Sequence, residues 1–558
     1  MIINLPKQFP LEKLEHFTIG NVEPENDSLL DHTLGICKIN PVLEFLRDKK
    51  SLIVGARGAG KSTLFKLIHE RKLSFANREK GNDIILAIDE SLDYIEIKNR
   101  VFESFHISAG DEGTKCRFFW EIYLLFRILI LVETEFADLP EVLKKSLENI
   151  KLIMHYEDEK ITILKFLKEM KWTGGFKIMQ TFEGASVTPH LSLEPSNTIG
   201  DTKTHRTIKF NIESCKKELN SLLAAKERRL FVLLDGLDEF VTKEAFLSQK
   251  FLIQGLIECE KSYLKYDNIR LKIFLRSDLF DRIDYEALGA EKVLARKIDL
   301  VWTSQDIRKL IAQRITYNYL MLLQLRQLEF MIDEKRLYLD ESSASDTETA
   351  KRTTKSVGSK LLGRLLGKVR VRDARSGRHI NFNDETNREI MTSIFPRIIR
   401  HRTSRGNADD CELTDFCDSH LSLGKNILTP RIIIMFIEKC LEFTRNYYRD
   451  NPDIKVVELD KNNEYPLIKK SCVSNAYKEF RDELWESFYK NMPSMWKPFL
   501  NNLRRKRGTK YEFTYNDLGK IIGLNNVQQF RLFVVFLCHI GILESTSGIY
   551  RMPIVLRR

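Results

Sequence analysis

Several features that would restrict the function of this 558-residue chain are missing from its sequence. Its nine cysteines are scattered and odd in number, and none forms a C-x-x-C pair, which argues against a disulfide framework or a zinc site. Residues 1–6 are apolar but lack the basic start of a secretory signal. The apolar run at 122–132 contains Arg127 and is too short to cross a bilayer. We therefore expect a cytoplasmic protein that does not act in a membrane.

The sequence also lacks the repeats and effector motifs of many large signalling proteins. No Leu-rich, WD or TPR repeat can be traced along the chain, and no nuclease, protease or TIR-like signature is present. The composition, 43% hydrophobic and 30% charged residues, is that of a globular protein with ample material for apolar cores. The length predicts two to four domains.

One short motif is highly specific. Residues 55–62 read Gly-Ala-Arg-Gly-Ala-Gly-Lys-Ser and match G-x-x-x-x-G-K-[ST], the phosphate-binding loop of nucleoside triphosphatases. An apolar run at 51–54 precedes the motif, and apolar residues at helical spacing follow it, which is the strand–loop–helix setting that it requires. The glycines let several backbone N–H groups point inward as an anion nest, and the helix adds its positive N-terminal end.

This motif predicts the residues that contact a nucleotide. Lys61 would reach the β- and γ-phosphates of ATP, and the hydroxyl of Ser62 would ligate Mg²⁺. The expected ATP contacts from this loop are Gly55, Arg57, Gly58, Ala59, Gly60, Lys61, Ser62 and Thr63. The sequence therefore predicts ATP and Mg²⁺ as cofactors.

A second nucleotide-binding element lies far downstream. Residues 229–234 form a continuous apolar run, typical of a parallel strand buried on both faces, and acidic residues follow it directly. Asp235 would lie beside the Mg²⁺ water shell, and Asp238 and Glu239 near the γ-phosphate, where a carboxylate can polarise the attacking water. The pattern leaves open which of these two carboxylates faces the water.

Further strands complete a predicted α/β core. Residues 271–275 end in Arg276, and because ligands bind at the carboxyl ends of parallel strands, we expect Arg276 to contact the γ-phosphate and act in catalysis. Residues 82–89 and 297–302 also read as strands. Residues 95–225 are mainly helical, apart from a hairpin-like stretch within 175–193, and read as an insertion in the core.

Two regions of the second half bear on partners. Residues 351–380 contain ten Lys and Arg and one Asp, a net charge of +9. This charge is compatible with binding to DNA or RNA, with an acidic protein partner or with a solvated helix face.

The last part of the sequence has the pattern of a winged helix. Residues 513–522 and 527–543 read as two helices, and a turn at 545–548 predicts a short hairpin. In the DNA-binding interpretation, the residues at the groove of the DNA would be Asn525, Gln528, Gln529 and Arg531. The alternative is a module that packs over the lid.

Several of these motifs resemble known ATPases. Residues 235–239, the strand-end Arg276 and residues 300–302 are similar to the STAND class of signal-transducing ATPases, which is close to the AAA+ and origin-recognition ATPases.

Three further segments resemble a narrower group more closely. Residues 23–30, 276–280 and 429–431 are similar to a prokaryotic STAND-like P-loop ATPase family often found in defence islands. The resemblance implies a helical lid, a role in antiphage defence and Arg431 as a second residue that senses ATP. The sensor repeats usual in STAND proteins are absent.

These observations together predict an α/β protein: a P-loop NTPase parallel sheet with a largely helical insertion, a helical lid and a C-terminal winged helix. The expected divisions are an N-terminal segment (1–49), the ATPase core (50–335), a polar and basic segment (336–385), the lid (386–470) and the winged helix (471–558). The predicted function is a slow ATPase that acts as a nucleotide-dependent switch. The alternatives are a DNA-binding initiator or loader similar to origin-recognition ATPases and a scaffold that binds ATP structurally. Besides ATP, the sequence leaves three kinds of partner open, which are a second copy of the chain, an effector protein, and DNA or RNA.

Overall fold

The computed structural model describes most of the chain. The residues that it does not describe are 1–5, 33–34, 48–49, 76–82, 90–104, 107–111, 155–175, 184–185, 194–207, 238–242, 282, 284–288, 324–328, 332–336, 340–367, 371–379, 403–407, 460–465, 525 and 558.

Short strands and longer helices alternate along the chain. The strands are β1 (Gln8–Pro10), β2 (Leu52–Gly55), β3 (Asp83–Asp89), β4 (Phe105–His106), β5 (Phe176–Glu183), β6 (Ser186–Leu193), β7 (Ile208–Asn211), β8 (Arg229–Asp235), β9 (Ile269–Arg276), β10 (Lys297–Asp299), β11 (Glu329–Met331), β12 (Leu337–Leu339), β13 (Lys368–Arg370), β14 (Ile380–Phe382), β15 (Ile398–Arg402), β16 (Ala408–Glu412), β17 (Val456–Glu458), β18 (Glu512–Thr514), β19 (Glu544–Thr546) and β20 (Ile549–Arg551).

The α-helices are α1 (Asn40–Phe45), α2 (Lys61–His69), α3 (Glu112–Glu135), α4 (Glu141–Met154), α5 (Ile212–Ala225), α6 (Lys243–Tyr263), α7 (Ser277–Phe280), α8 (Ala290–Arg296), α9 (Ser304–Leu322), α10 (Asp384–Ile394), α11 (Leu413–His420), α12 (Pro430–Arg449), α13 (Lys470–Lys490), α14 (Lys497–Arg504), α15 (Tyr515–Ile522) and α16 (Val527–His539). Short 3₁₀ helices lie at Leu11–His16, Pro24–Asn26, Ser28–Asp31, Gly424–Asn426, Ser494–Trp496 and Ile554–Leu556.

The central element is a five-stranded parallel sheet in the order β10-β2-β9-β8-β3. Every residue of β8 is buried, because apolar side chains cover both faces of the sheet. Helices α3 to α6 pack on one face, and α1 and α2 pack on the other. The predicted α/β core with a parallel sheet is confirmed, and its carboxyl edge brings the ends of β2, β3, β8 and β9 together.

The insertion between β3 and β8 contains both helices and a sheet. Strands β5 and β6 pair antiparallel, which confirms the predicted hairpin, and β4 and β7 extend it to four strands. Helix α3 anchors this region to the core, because the indole N–H of Trp120 donates to the carbonyl of Leu252 on α6 at 2.8 Å. The sequence predicted the helices and the hairpin but missed the two outer strands, which are only two and four residues long.

A second apolar core joins distant parts of the chain. It combines Phe9, Leu14 and Phe17 from the N-terminal segment with α9 and with helices α10 to α16. Strand β1 pairs antiparallel with β17, so the first residues described lie against the region predicted to be the lid. Since this core crosses the expected boundaries near residues 49, 335 and 470, the divisions between domains stay predictions.

The C-terminal region places α15 and α16 beside a three-stranded sheet in the order β18-β20-β19. The sequence predicted a helix from residue 513, but Phe513 belongs to β18 and the helix begins at Tyr515. The reason is a capping box: the hydroxyl of Thr514 accepts from the backbone N–H of Asp517, whose carboxylate accepts from the backbone of Thr514. Assignment of this region as a winged helix remains a proposal.

Within the described residues, no single helix is both long and apolar enough to cross a membrane. Helices α15 and α16 reach that length and hydropathy only when counted together, and they are bent by 106° relative to each other.

Candidate functional site

The loop between β2 and α2 has the backbone conformation that its glycines allow. Gly58 and Gly60 adopt φ values of +79° and +95°, in the left-handed region that other residues rarely occupy. Gly60 is the residue that precedes the first turn of α2, so the positive end of this helix opens directly onto the loop. The predicted strand–loop–helix setting of residues 51–69 is therefore confirmed.

Lys61 lies inside this loop and is only 8% exposed. Its ammonium donates to the backbone carbonyls of Gly55 at 3.0 Å and Ala56 at 3.1 Å. These two contacts hold the positive charge over the loop. Phosphate oxygens carry full negative charge and are stronger acceptors than neutral carbonyls, so the ammonium can exchange these contacts for a bound phosphate.

A cavity of about 410 Å³ opens above the loop. This volume is within the usual range for small-molecule sites. At its phosphate-loop end it is lined by Arg57, Gly58, Ala59, Gly60, Lys61, Ser62 and Thr63, with Asp89 and Asp235 beside them. Arg314, Trp302, Leu310 and Arg431 line another part of the wall, and residues 21–25, Asp27, Leu30, 35–37 and Val42 come from the N-terminal segment. The structure thus brings most of the predicted ATP contacts to one cavity, while Gly55 lies behind them as an acceptor for Lys61.

Two carboxylates enter this cavity from neighbouring strands. Asp89 and Asp235 are the last residues of β3 and β8 and are paired in the parallel register. Asp235 is 7% exposed, whereas Asp89 is exposed. The sequence predicted Asp235 as a metal ligand and missed Asp89. The sequence does contain a signal for Asp89, because it is an acidic residue at the end of an apolar strand. This signal becomes informative only when β3 is known to lie beside β8.

Asp238 and Glu239, the predicted catalytic carboxylates, lie outside the described residues. The structure describes the chain up to Leu237, which is buried just beyond the carboxyl edge of the sheet. Their roles in hydrolysis stay predictions.

Arg276 ends β9 directly beside Gly55 in the sheet, but it does not line the large cavity. Its guanidinium makes two bonds to the carboxylate of Asp278, at 2.8 and 3.0 Å, and both side chains are buried. The pair lines a second cavity of about 40 Å³, which shares Arg57 and Arg431 with the first. Contact between Arg276 and a γ-phosphate stays a prediction, because Arg276 lines this smaller cavity and not the larger one.

Arg431 reaches the site from a different part of the chain. It is the second residue of α12, and its backbone N–H approaches the carbonyl of Gly58 at 3.4 Å. A Cβ atom added to Gly58 would lie 2.7 Å from the Cβ of Arg431, so α12 is packed directly against the phosphate loop. This contact explains why the loop needs a glycine at this position independently of any ligand.

The N-terminal segment is held over the cavity by charged contacts that the sequence did not predict. Arg314 on α9 pairs with the buried Asp27 at 2.8 Å and also donates to the carbonyl of Ile19. Lys66 on α2 donates to the carbonyl of Pro24 at 2.7 Å. Cys37 lines the same wall, and burial raises the pKa of its thiol to about 12, so it remains protonated at neutral pH.

Trp302, in the connection between β10 and α9, is a further contact to the loop. Its indole N–H donates to the carbonyl of Ala59 at 2.7 Å, and its side chain is half-buried at the cavity wall. Two residues earlier, the backbone N–H of Leu300 donates to the carbonyl of Val54 at 2.7 Å. This bond aligns the connection with the strand that leads into the loop.

Comparisons with known proteins leave the family open. No family model matches the chain, and no curated protein matches it significantly. Among solved structures it is similar to the crystal structure of Cdc6p from Pyrobaculum aerophilum, with 10% sequence identity, 91% of this chain and 83% of that chain covered, and a TM-score of 0.25. A TM-score of this size does not establish a shared fold, so a functional assignment has to rest on the cavity itself.

Proposed function

We propose that this protein binds ATP with Mg²⁺ at the phosphate loop, hydrolyses it slowly and uses the nucleotide to control the position of its lid. The observation that carries this proposal is the 410 Å³ cavity, where the loop, two strand-end carboxylates and the lid residue Arg431 meet. A loop of this conformation at a helix N-terminus binds phosphate through its N–H groups and the helix dipole.

The residues of the site would divide the work of binding. Lys61 would exchange its carbonyl contacts for β- and γ-phosphate oxygens, and Arg57 and Arg431 would add positive charge at the outer phosphates. The hydroxyl of Ser62 and the carboxylate of Asp235 suit Mg²⁺, which prefers hard oxygen ligands. When bound, Mg²⁺ would neutralise charge that develops on the transferred phosphoryl group.

Hydrolysis needs a group that orients water. We assign this task to Glu239, with Asp238 as the second candidate, because both follow the strand that carries Asp235. Arg276 would assist only in a state in which its guanidinium reaches the large cavity, which it does not line in this structure.

The switch would act through the elements that close the cavity. The phosphate loop contacts α12 through Gly58 and Arg431, and the N-terminal segment is tied to α9 through Asp27 and Arg314. A nucleotide that bridges these walls stabilises the closed arrangement by its differential affinity for it. Release of the γ-phosphate would then loosen α12 from the loop.

A DNA-binding function, as in origin-recognition ATPases, is the second candidate. The C-terminal helix α16 exposes Gln528 and Arg531, and Arg505 and Lys506 are exposed just before β18. A winged-helix region of this kind would present α16 to the major groove. Three aliphatic residues on the same exposed face, Val527, Leu532 and Val535, fit a protein partner better than a phosphate backbone.

Isothermal titration with ATP and Mg²⁺ tests the proposed function. The Lys61→Ala variant should lose tight binding, because it removes the main side-chain charge from the phosphates while the loop contributes little to the cores. Lys50→Ala is the matched control: Lys50 precedes the same strand at the opposite edge of the sheet, where it donates to the carbonyl of Ala295. Wild-type affinity in the Lys61 variant, or no binding by the wild-type protein, would refute the assignment.

A further inference from the structure

We infer that Trp302 is a positioning residue that sets the phosphate loop for nucleotide binding through the Ala59–Gly60 peptide. This inference rests on the proposed ATP binding and deepens it. It starts from one contact, the 2.7 Å hydrogen bond from the indole N–H of Trp302 to the carbonyl of Ala59.

The geometry of a peptide gives this bond its effect. In a trans peptide the C=O and the following N–H point in opposite directions. When the carbonyl of Ala59 is directed at the indole, the N–H of Gly60 is therefore directed away from it. Both Gly60 and Trp302 line the cavity, and the open space around a Cβ atom added to Gly60 leaves room beside this residue. The bond thus fixes the direction of one N–H of the loop, and an anion nest depends on such fixed N–H directions.

Gly60 is the position where such a restraint matters most. With φ at +95° and no side chain, its two flanking peptides can rotate at little steric cost. Its own carbonyl is already fixed, because it accepts from the backbone N–H of Leu64 in the first turn of α2 at 2.9 Å. Trp302 fixes the peptide on the other side, so together the two bonds define the loop immediately before Lys61.

Trp302 is itself held in place from both directions. Leu300 is bonded to the end of β2, and Thr303 caps α9 through a reciprocal pair of bonds with Asp306. The indole therefore joins the phosphate loop to the helix that carries Arg314. A change in the tilt of α9 would move the donor of the Ala59 carbonyl, which makes Trp302 a link between α9 and the affinity for phosphate.

The test compares nucleotides with and without phosphates on the full-length protein. Trp302→Phe keeps an aromatic ring but removes the N–H donor. We expect it to bind ATP about five- to tenfold more weakly, the effect of losing one hydrogen bond, and to bind adenosine within about twofold of the wild-type protein. Trp302→Leu, whose side chain has no hydrogen-bond donor, should behave in the same way.

Trp120→Phe is the matched control, because Trp120 on α3 makes an equivalent bond, at 2.8 Å, to the carbonyl of Leu252 on α6. It should leave both affinities unchanged. Unchanged ATP affinity in folded Trp302→Phe and Trp302→Leu would overturn the inference, and so would an equal loss for ATP and adenosine, which would indicate a contact to the base. If the wild-type protein itself bound neither ligand, the proposed function would fail instead.

Discussion

The contact between Gly58 and Arg431 leads to a quantitative prediction about the packing of α12 on the phosphate loop. Gly58→Ala should destabilise the nucleotide-free protein more than Gly60→Ala, although both glycines have positive φ values. An alanine in the left-handed region costs about 1–2 kcal/mol at either position. At Gly60 the new methyl group meets no atom within 4 Å, so this strain is the whole cost.

At Gly58 the methyl group would also overlap with α12. Its position is 2.7 Å from the Cβ of Arg431, 3.2 Å from its Cδ and 3.4 Å from its Cγ. The Cβ atom is attached to the helix backbone and cannot rotate away, so the helix has to shift. Overpacking of this kind costs about 1–3 kcal/mol, which gives a total loss of about 2–5 kcal/mol for Gly58→Ala.

Urea unfolding of the two single variants without nucleotide measures this difference, and two double variants identify its origin. Arg431→Gly removes the Cβ atom and should recover most of the additional loss in the Gly58→Ala background, after correction for Arg431→Gly alone. Arg431→Ala retains that atom and should recover much less. Equal losses for the two glycine variants, or equal recovery by both Arg431 variants, would refute the packing of α12 on the loop.

Three further predictions concern catalysis, pH and nucleic acid. Glu239→Gln should bind ATP but hydrolyse it about 10²–10⁴-fold more slowly, and if neither it nor Asp238→Asn slows single-turnover hydrolysis tenfold, the water-orienting role is wrong. The capping bond from the backbone of Thr514, together with the ammonium of Lys510, lowers the pKa of Asp517 from 3.8 to about 2. The stabilisation of α15 by this carboxylate is therefore complete above pH ~4 and is lost as the pH falls towards 2. An NMR titration midpoint at 3.8 for Asp517 would contradict the capping geometry. Neutralising Arg364, Lys368, Arg370 and Arg372 together should flatten the log–log salt dependence of DNA or RNA binding by about 0.7–0.9 per lost contact, and a wild-type protein without affinity for either at low salt would eliminate the initiator alternative.

The sequence predicted those parts of the site that are encoded locally. The phosphate loop could be predicted because seven consecutive lining residues and their flanking strand and helix are contiguous in the chain. Asp235 could be predicted because an apolar strand ends in it. Asp89 ends a similar strand, but its relevance depends on the pairing of β3 with β8, which no local pattern contains.

Contacts across long stretches of chain account for most of what was missed. The pair of Asp27 and Arg314 spans 287 residues, and the bond from Trp302 to Ala59 spans 243. Each of these residues reads alone as an ordinary surface or core residue, because its partner is fixed only by the complete fold. The predicted role of Arg276 was limited in a different way: the end of β9 could be located, but not the side-chain conformation that pairs Arg276 with Asp278 two residues later.

The pairing of β1 with β17 has a consequence for how the protein is made. Phe9 lies opposite Val457, and Thr18 donates to Glu438 at 2.7 Å, so the N-terminal segment can reach its final position only after the ribosome has synthesised most of the chain. The parallel sheet, whose last strand ends at Asp299, can assemble much earlier during synthesis. A nascent chain therefore carries a formed phosphate loop for many seconds before α12, which brings Arg431 to the cavity, has been synthesised. Under the proposed function, capture of a nucleotide between the loop and α12 would have to wait until the second core has formed.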